Sequence, residues 1–205
     1  MTRLGGRCGC GVFVLDGHPL VRQGLVDLVA AAPDLDVVGS AGDVEDALPR
    51  IGTTRPRVLL LEARLTQGER IAVGRRIRSE HPEVLCLLLT ASDDDEALFT
   101  AVMTGAVGYL VERLGGSSLL DGVRAAAAGR LLLDAAVTDR LLDRLHRSGQ
   151  GGHRGGRLDD REHHVLELIG QGRTDGQIAA ELGRSTTEVQ GLVTVIHEKL
   201  VPARR

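Results

Sequence analysis

Val58-Leu59-Leu60-Leu61-Glu62-Ala63-Arg64-Leu65 decides the fold. Four consecutive apolar residues, with Pro56 upstream and a polar turn downstream, read as a strand buried on both faces. In a parallel sheet such a strand delivers its carboxyl end to the ligand crevice, and Glu62 stands at that end. Working outward, Gly11 to Leu15 is a short apolar run ending in Asp16. Gly17-His18-Pro19 follows, then Leu20, Val21, Leu25, Leu28 and Val29 at helical spacing. That is strand, turn and helix, with Pro19 at a tolerated first-turn position. Pro33-Asp34 ends the helix, Leu35 to Val38 forms a second strand, and residues near Val44 to Ile51 a short helix. Beyond the central strand, a loop from Ala63 to Gly68 leads to a helix through Ile71, Val73 and Ile77, stopped at His81-Pro82. Val84 to Leu89 is another buried strand that delivers Thr90, and Asp93 to Asp95 place acids in the first turn of a helix reaching about Thr104. Val107 to Val111 is a fifth strand delivering Glu112, and a fifth helix runs from Ser117 to near Gly129.

Five strands alternating with five helices predict a doubly wound α/β domain with a parallel sheet. Right-handed crossovers then bring Asp16, Glu62, Thr90 and Glu112 to one edge, the one obvious cleft.

Val137, Leu141, Leu142 and Leu145 mark a further helix, and Ser148 to Gly156, with five Gly in nine residues, is a flexible linker. Arg147, Arg154 and Arg157 beside His146 and His153 make that linker either a solvated tether or a phosphate-touching arm. From Leu158 the period is helical throughout. Asp159 or Asp160 caps a helix through Val165, Leu166, Leu168 and Ile169; Thr174 caps a short one through Ile178, Ala179 and Leu182; Gly183 turns the chain. Ser185 or Thr186 then begins a longer helix through Val189, Leu192, Val193, Ile196 and Leu200. This is the outline of a helix-turn-helix. The predicted organisation is a sheet domain over 10–130, a linker helix and Gly-rich linker over 131–157, and the helical domain over 158–205.

Composition limits the functions available. With one Tyr, two Phe and no Trp, stacking of nucleic-acid bases on aromatics is excluded as a main mode. The formal charge of −3 gives no global footprint for DNA, although a small domain can carry a local one. The amino terminus has no apolar run like a signal peptide and no stretch matches a membrane span, so a cytoplasmic protein with no membrane partner is expected. Cys8, Cys10 and Cys86 are an odd number, which argues against a disulfide framework. Cys8-Gly9-Cys10 has no matching second pair and reads as two ordinary thiols rather than a metal site. No Ser-His-Asp arrangement, phosphate-cradling Gly loop or cluster of metal ligands is evident, and His163-His164 reads as a surface pair. No catalytic residue, metal or cofactor is expected, and the chain is read as a non-enzyme.

Taken together, these features resemble a response regulator of the NarL/FixJ group, a receiver domain joined to a LuxR-type helix-turn-helix. The runs Val21-Arg22-Gln23-Gly24-Leu25, Thr104-Gly105-Ala106-Val107-Gly108-Tyr109 and Gln177-Ile178-Ala179 sit where that family has closely similar ones. The resemblance spans about Gly11 to Leu200 and implies a flavodoxin-like, CheY-like receiver with a cytoplasmic DNA-binding domain. It also implies phosphoryl transfer to an aspartate, with an acidic pair for Mg²⁺, a Thr or Ser, and a Lys against the phosphoryl oxygens. At those places this chain has Asp16-Gly17, Glu62 as acceptor, Thr90, and Glu112 in place of the lysine.

Charge settles the expected consequence. A phosphoryl group brings about two negative charges, and Glu112 has the wrong sign to answer them. Two carboxylates close together repel, so one tends to hold a proton. Arg64 and Arg113 are near in sequence, but nothing in the sequence fixes them there. The expectation is a pseudo-receiver working independently of phosphorylation. Either Glu62 mimics the charged acceptor and biases Tyr109, the family's switch aromatic, or the pocket is vacant and the domain dimerises or binds a small-molecule ligand.

The helix-turn-helix departs from its family as well. Where the third helix there opens on Thr-Val-Lys, this chain has Glu188-Val189-Gln190. From Arg157 to Arg205 eight acids face seven bases, so the domain holds DNA poorly alone. Arg184, Ser185, Thr186, Thr187, Gln190, Thr194 and Lys199 are the candidate DNA contacts, with His197, Arg204 and Arg205 in reserve. The family's fourth, dimerising helix is nearly absent from this sequence, which leaves the receiver or the helix at Ala135 to Arg147 as the expected dimer contact. Two functions follow: a regulator that binds promoter DNA as a homodimer, or a partner that heterodimerises with an intact response regulator.

Overall fold

The structure, a computed structural model, describes residues 9–61, 67–90, 95–111, 116–130, 158–171 and 173–200. Its first part alternates β1 (Cys10–Leu15), α1 (Pro19–Ala30), β2 (Leu35–Ala41), α2 (Val44–Thr54), β3 (Val58–Leu61), α3 (Gln67–Glu80), β4 (Leu85–Thr90), α4 (Asp95–Thr104), β5 (Gly108–Val111) and α5 (Gly116–Ala127). Three further helices follow, α6 (Asp160–Gly170), α7 (Asp175–Leu182) and α8 (Thr186–Leu200). The five strands form one parallel sheet in the order β2-β1-β3-β4-β5, with β3 at its centre as the run of four apolar residues predicts. β2 extends three residues beyond the predicted Val38, because Gly39, Ser40 and Ala41 pair with Phe13, Val14 and Leu15 across an irregularity in β1.

Each central strand is divided between two cores by its period of two. Phe13, Leu15, Leu59, Leu61 and Leu88 face α2, α3 and α4, whereas Val12, Val14, Val58, Leu60, Leu87 and Leu89 face α1 and α5. Burying each of these side chains contributes about 1.5–3 kcal/mol, which is why the unbroken apolar runs fix the sheet. α3 and α4 approach closely at Gly74, where an added Cβ would lie 2.0 Å from Thr104 Cγ2. Outside the sheet, Arg124 of α5 clamps Asp34 with two hydrogen bonds of 2.7 and 2.9 Å, and holds that carboxyl down to about 2.

α6 and α7 have reciprocal caps. Asp159 accepts from the Glu162 amide and Glu162 from the Asp159 amide, each at 2.8 Å. Thr174 and Gln177 do the same for α7, and Gly183, at φ +62°, ends it in the left-handed conformation that glycine adopts without penalty. Val165, Leu166, Leu168, Ile169, Ile178, Val189, Val193 and Ile196 fill the space between the three helices. Their core is continuous with that of the α3–α4 face of the sheet, and α6 packs on α4 while α7 and α8 pack on α3. The predicted linker helix, the Gly-rich linker with its arginines and histidines, Cys8, Arg204 and Arg205 lie outside the described residues. No helix among the described residues is long and apolar enough to cross a membrane.

Candidate functional site

The sheet edge is built by four strand ends in register. Leu15 pairs with Leu61, Leu61 with Leu88, and Thr90 with Val111. Asp16 follows β1 directly and is fully buried. Its Oδ1 accepts the His18 amide at 2.6 Å, and Arg22 Nη1 donates to its backbone carbonyl at 2.7 Å. Oδ2 meets no hydrogen-bond partner among the described residues. Thr90 is buried at the end of β4, and Tyr109 of β5 is half-buried against the α3–α4 core. Glu62 and Glu112 come immediately after Leu61 and Val111 in the chain, and with Arg64 and Arg113 they lie outside the described residues. A divalent cation of the Mg²⁺ type needs several converging oxygen ligands. Asp16 offers one carboxylate, with one oxygen already engaged and glycine beside it, and no group of three His, Cys, Asp or Glu side chains converges among the described residues. The described donor set does not fit that ion.

The helix-turn-helix presents a different balance. Glu188, in the first turn of α8, accepts from the Ser185 amide at 2.9 Å, from the Ser185 hydroxyl at 3.0 Å and from Arg184 Nη1 at 2.8 Å. Ser185 in turn accepts the Glu188 amide, closing a capping box. The Ser185 backbone amide, then Arg184 and the Ser185 hydroxyl, hold the Glu188 carboxyl down to about 2. Two candidate DNA contacts, Arg184 and Ser185, are therefore engaged by an acid in the first turn of the helix that follows them. Lys199, a third, lies within 2.6 and 2.7 Å of the two oxygens of buried Glu162, tying α8 to α6. Gln190 reaches Asp175 at 3.4 Å and Thr194 donates to the Gln190 carbonyl, while Thr186 and Thr187 are exposed. The His197 side chain lies outside the described residues.

A buried seam joins the two parts. Arg75 of α3 forms an ion pair with Asp175 at the start of α7, with only 3% and 1% of the two side chains exposed. Arg75 Nη1 also reaches the Met103 carbonyl at 3.4 Å. Neighbouring Arg78 has its acidity raised by burial and by the Arg75 charge, and Asp175 opposes that shift. Gln190 and Thr194 of α8 line a cavity in this seam with Ile71, Ala72, Arg75 and Arg76 of α3.

Residues 12–124 match the response regulator receiver domain family, which places the sheet, its edge and the first five helices in one known architecture. The chain belongs to the response regulators. Over 95% of its length this regulator is 38% identical to the DNA-binding transcriptional activator DevR/DosR of Mycobacterium tuberculosis, covering 89% of that protein. It is 30% identical to the transcriptional regulatory protein LiaR of Bacillus subtilis over 92% of the chain and 90% of LiaR. The crystal structure of the response regulator ChrA of a heme-sensing two-component system superposes on 93% of the chain and 90% of that structure, with 28% identity and a TM-score of 0.52. DevR/DosR and LiaR are transcriptional regulators, in accord with the reading of the chain as a regulator rather than an enzyme.

Sequence reading of the regulator missed the seam and the Glu162–Lys199 pair. Glu162 carried one signal, its place three residues after Asp159, which marks a capping glutamate, but the reach of Lys199 from 37 residues away left none. Arg75 is buried alongside the apolar Ile71, Val73 and Ile77 of α3, and only the packing of α7 on α3 explains it.

Proposed function

We propose that this response regulator is a cytoplasmic transcription regulator that binds promoter DNA through α8 and the turn before it, without aspartyl phosphorylation. Similarity to DevR/DosR, a DNA-binding transcriptional activator, supports the DNA-binding part. Independence from phosphorylation is supported by the residues themselves: glutamate at the acceptor position, glycine beside Asp16, and Glu112 where the family has a lysine. The observation that carries the control mechanism is the buried Arg75–Asp175 pair, which ties α7 to α3; α8 packs on α3 beside it, with Val193 buried and Gln190 and Thr194 at the exposed rim. A helix that enters a DNA groove must free that face, so the arrangement described is a closed one. Residues 131–157 act as the linker that lets the helical part, 158–205, separate from the receiver, 10–130.

A second reading is favoured by the Glu188 cluster. An acid at the start of α8 repels phosphates and occupies Arg184 and Ser185, so the chain holds DNA weakly alone and pairs with an intact response regulator. Gel shift with DNA from upstream of its own gene, with and without a partner regulator, separates the two. Retardation by the protein alone at nanomolar concentration supports the first, and retardation only with the partner supports the second. No retardation in either case sinks both.

A further inference from the structure

Which bases α8 can read depends on what its side chains have left after bonding within the chain. Thr187, Gly191, Thr194 and Val195 recur at helical spacing and share one face of α8, opposite the buried Val189, Val193 and Ile196. All four are exposed, and Val195, at 39%, is one of two large apolar side chains so exposed among the described residues. The polar groups around them are engaged. Glu188 occupies Arg184 and Ser185, Lys199 is held by Glu162, and the Gln190 amide turns to Asp175 at 3.4 Å. Thr194 donates its hydroxyl to the Gln190 carbonyl one turn back at 3.1 Å, so its methyl group is what remains for a partner. At Gly191 an added Cβ would meet open space, and no side chain keeps a groove floor away from the helix there. What this face has to offer a base edge is carbon.

A base edge that suits carbon is thymine. In the major groove guanine, adenine and cytosine are told apart by hydrogen-bond donors and acceptors, whereas thymine adds a C5-methyl group that apolar side chains and threonine methyls contact. We infer that Val195 and Thr194 are specificity-determining residues that select thymine, their methyl groups packing on thymine C5-methyls in the major groove. The preferred site is then chosen by apolar contact rather than by cationic side chains on base edges. α3 stands beside this face in the closed arrangement, so the reading is made once α7 and α8 have left it. The inference rests on the DNA-binding reading proposed above.

The test replaces thymine by deoxyuridine, which deletes the C5-methyl group and keeps the pairing edge. A fragment from upstream of the gene is made with thymine or with uracil throughout the region protected by the full chain, and binding is followed by fluorescence anisotropy. Each contacted methyl is worth about a four-fold change in affinity, so the uracil fragment is expected to bind wild-type protein about ten-fold more weakly or worse. Val195→Ala and Thr194→Ser alter exposed positions, and the second keeps the hydroxyl bond to Gln190. Each is expected to weaken binding to the thymine fragment, and the double variant to bind both fragments alike. The slope of log K against log salt stays the same for the two fragments, because no phosphate contact changes. Equal affinity of wild-type protein for the two fragments, or an undiminished uracil penalty in the double variant, would overturn the inference. A dimer in sedimentation velocity that Val195→Ala dissociates would assign this face to a second copy of the chain and overturn it as well. Binding of neither fragment, by wild-type protein and by Arg75→Ala alike, sinks the proposed function and the inference with it, whereas equal binding of both sinks the inference alone.

Discussion

The sheet edge and the recognition helix α8 treat charge in opposite ways. At the edge, Asp16 is fully buried with one oxygen bonded and the other without a hydrogen-bond partner among the described residues. On α8 and the turn before it, each candidate DNA contact bearing a charge is already engaged: Arg184 by Glu188 and Lys199 by Glu162. The first region keeps a buried acid with one oxygen unbonded among the described residues, and the second gives its cations acids of its own. On α8 and the turn before it, partners within the chain are present before any phosphate arrives.

The largest effect is expected at the seam, where the comparison can be broken outright. Arg75→Ala removes one member of a buried pair, and such losses run to about 3–5 kcal/mol. Here the cost falls on the closed arrangement, because Asp175 regains water once α7 leaves α3. Differential scanning calorimetry is expected to resolve two transitions in place of one, with DNA affinity raised. Next in size is Glu162→Ala, which strips a cap from α6 and the partner from Lys199. Loss of hydrogen bonds to a charged group of this kind costs roughly 1.5–3 kcal/mol, read as a lower urea midpoint for the helical part.

Glu188→Thr sharpens the comparison from the α8 side. It removes an acid from the face offered to DNA and releases Arg184, so affinity rises and the slope of log K against log salt steepens by about one. A smaller effect is the pH dependence of the same cap. The Glu188 carboxyl is lowered from 4.5 to about 2, first by the Ser185 backbone amide. Its stabilising contribution is therefore complete above pH 4.5 and disappears as pH falls toward about 2. Amide exchange at Ser185, followed by NMR, checks this: protection is retained at pH 5 and lost in that acid window. The smallest expected effect is none. Acetyl phosphate with Mg²⁺ leaves the mass and oligomeric state unchanged, and a gain of one phosphoryl group contradicts the account.

The fold was legible because burial on both sheet faces demands unbroken apolar runs, and β3 and β4 show them without interruption. The caps at Asp159 and Thr174 were legible for a similar reason, since capping boxes act over three residues. Legibility ended where partners are distant in sequence. Arg75 and Asp175 are 100 residues apart, and neither departs from an ordinary polar residue until α7 is laid on α3. Glu188 falls between these cases. Its identity marked a departure from the family, yet its local task as the cap of α8 emerges only from its bonds to Ser185.

The most direct measurement compares the affinity of wild-type protein and Arg75→Ala for the same promoter fragment by fluorescence anisotropy, with circular dichroism to establish equal helix content. The account predicts tighter binding by the variant with no phosphoryl donor present. Equal or weaker binding by a fully folded variant would contradict it.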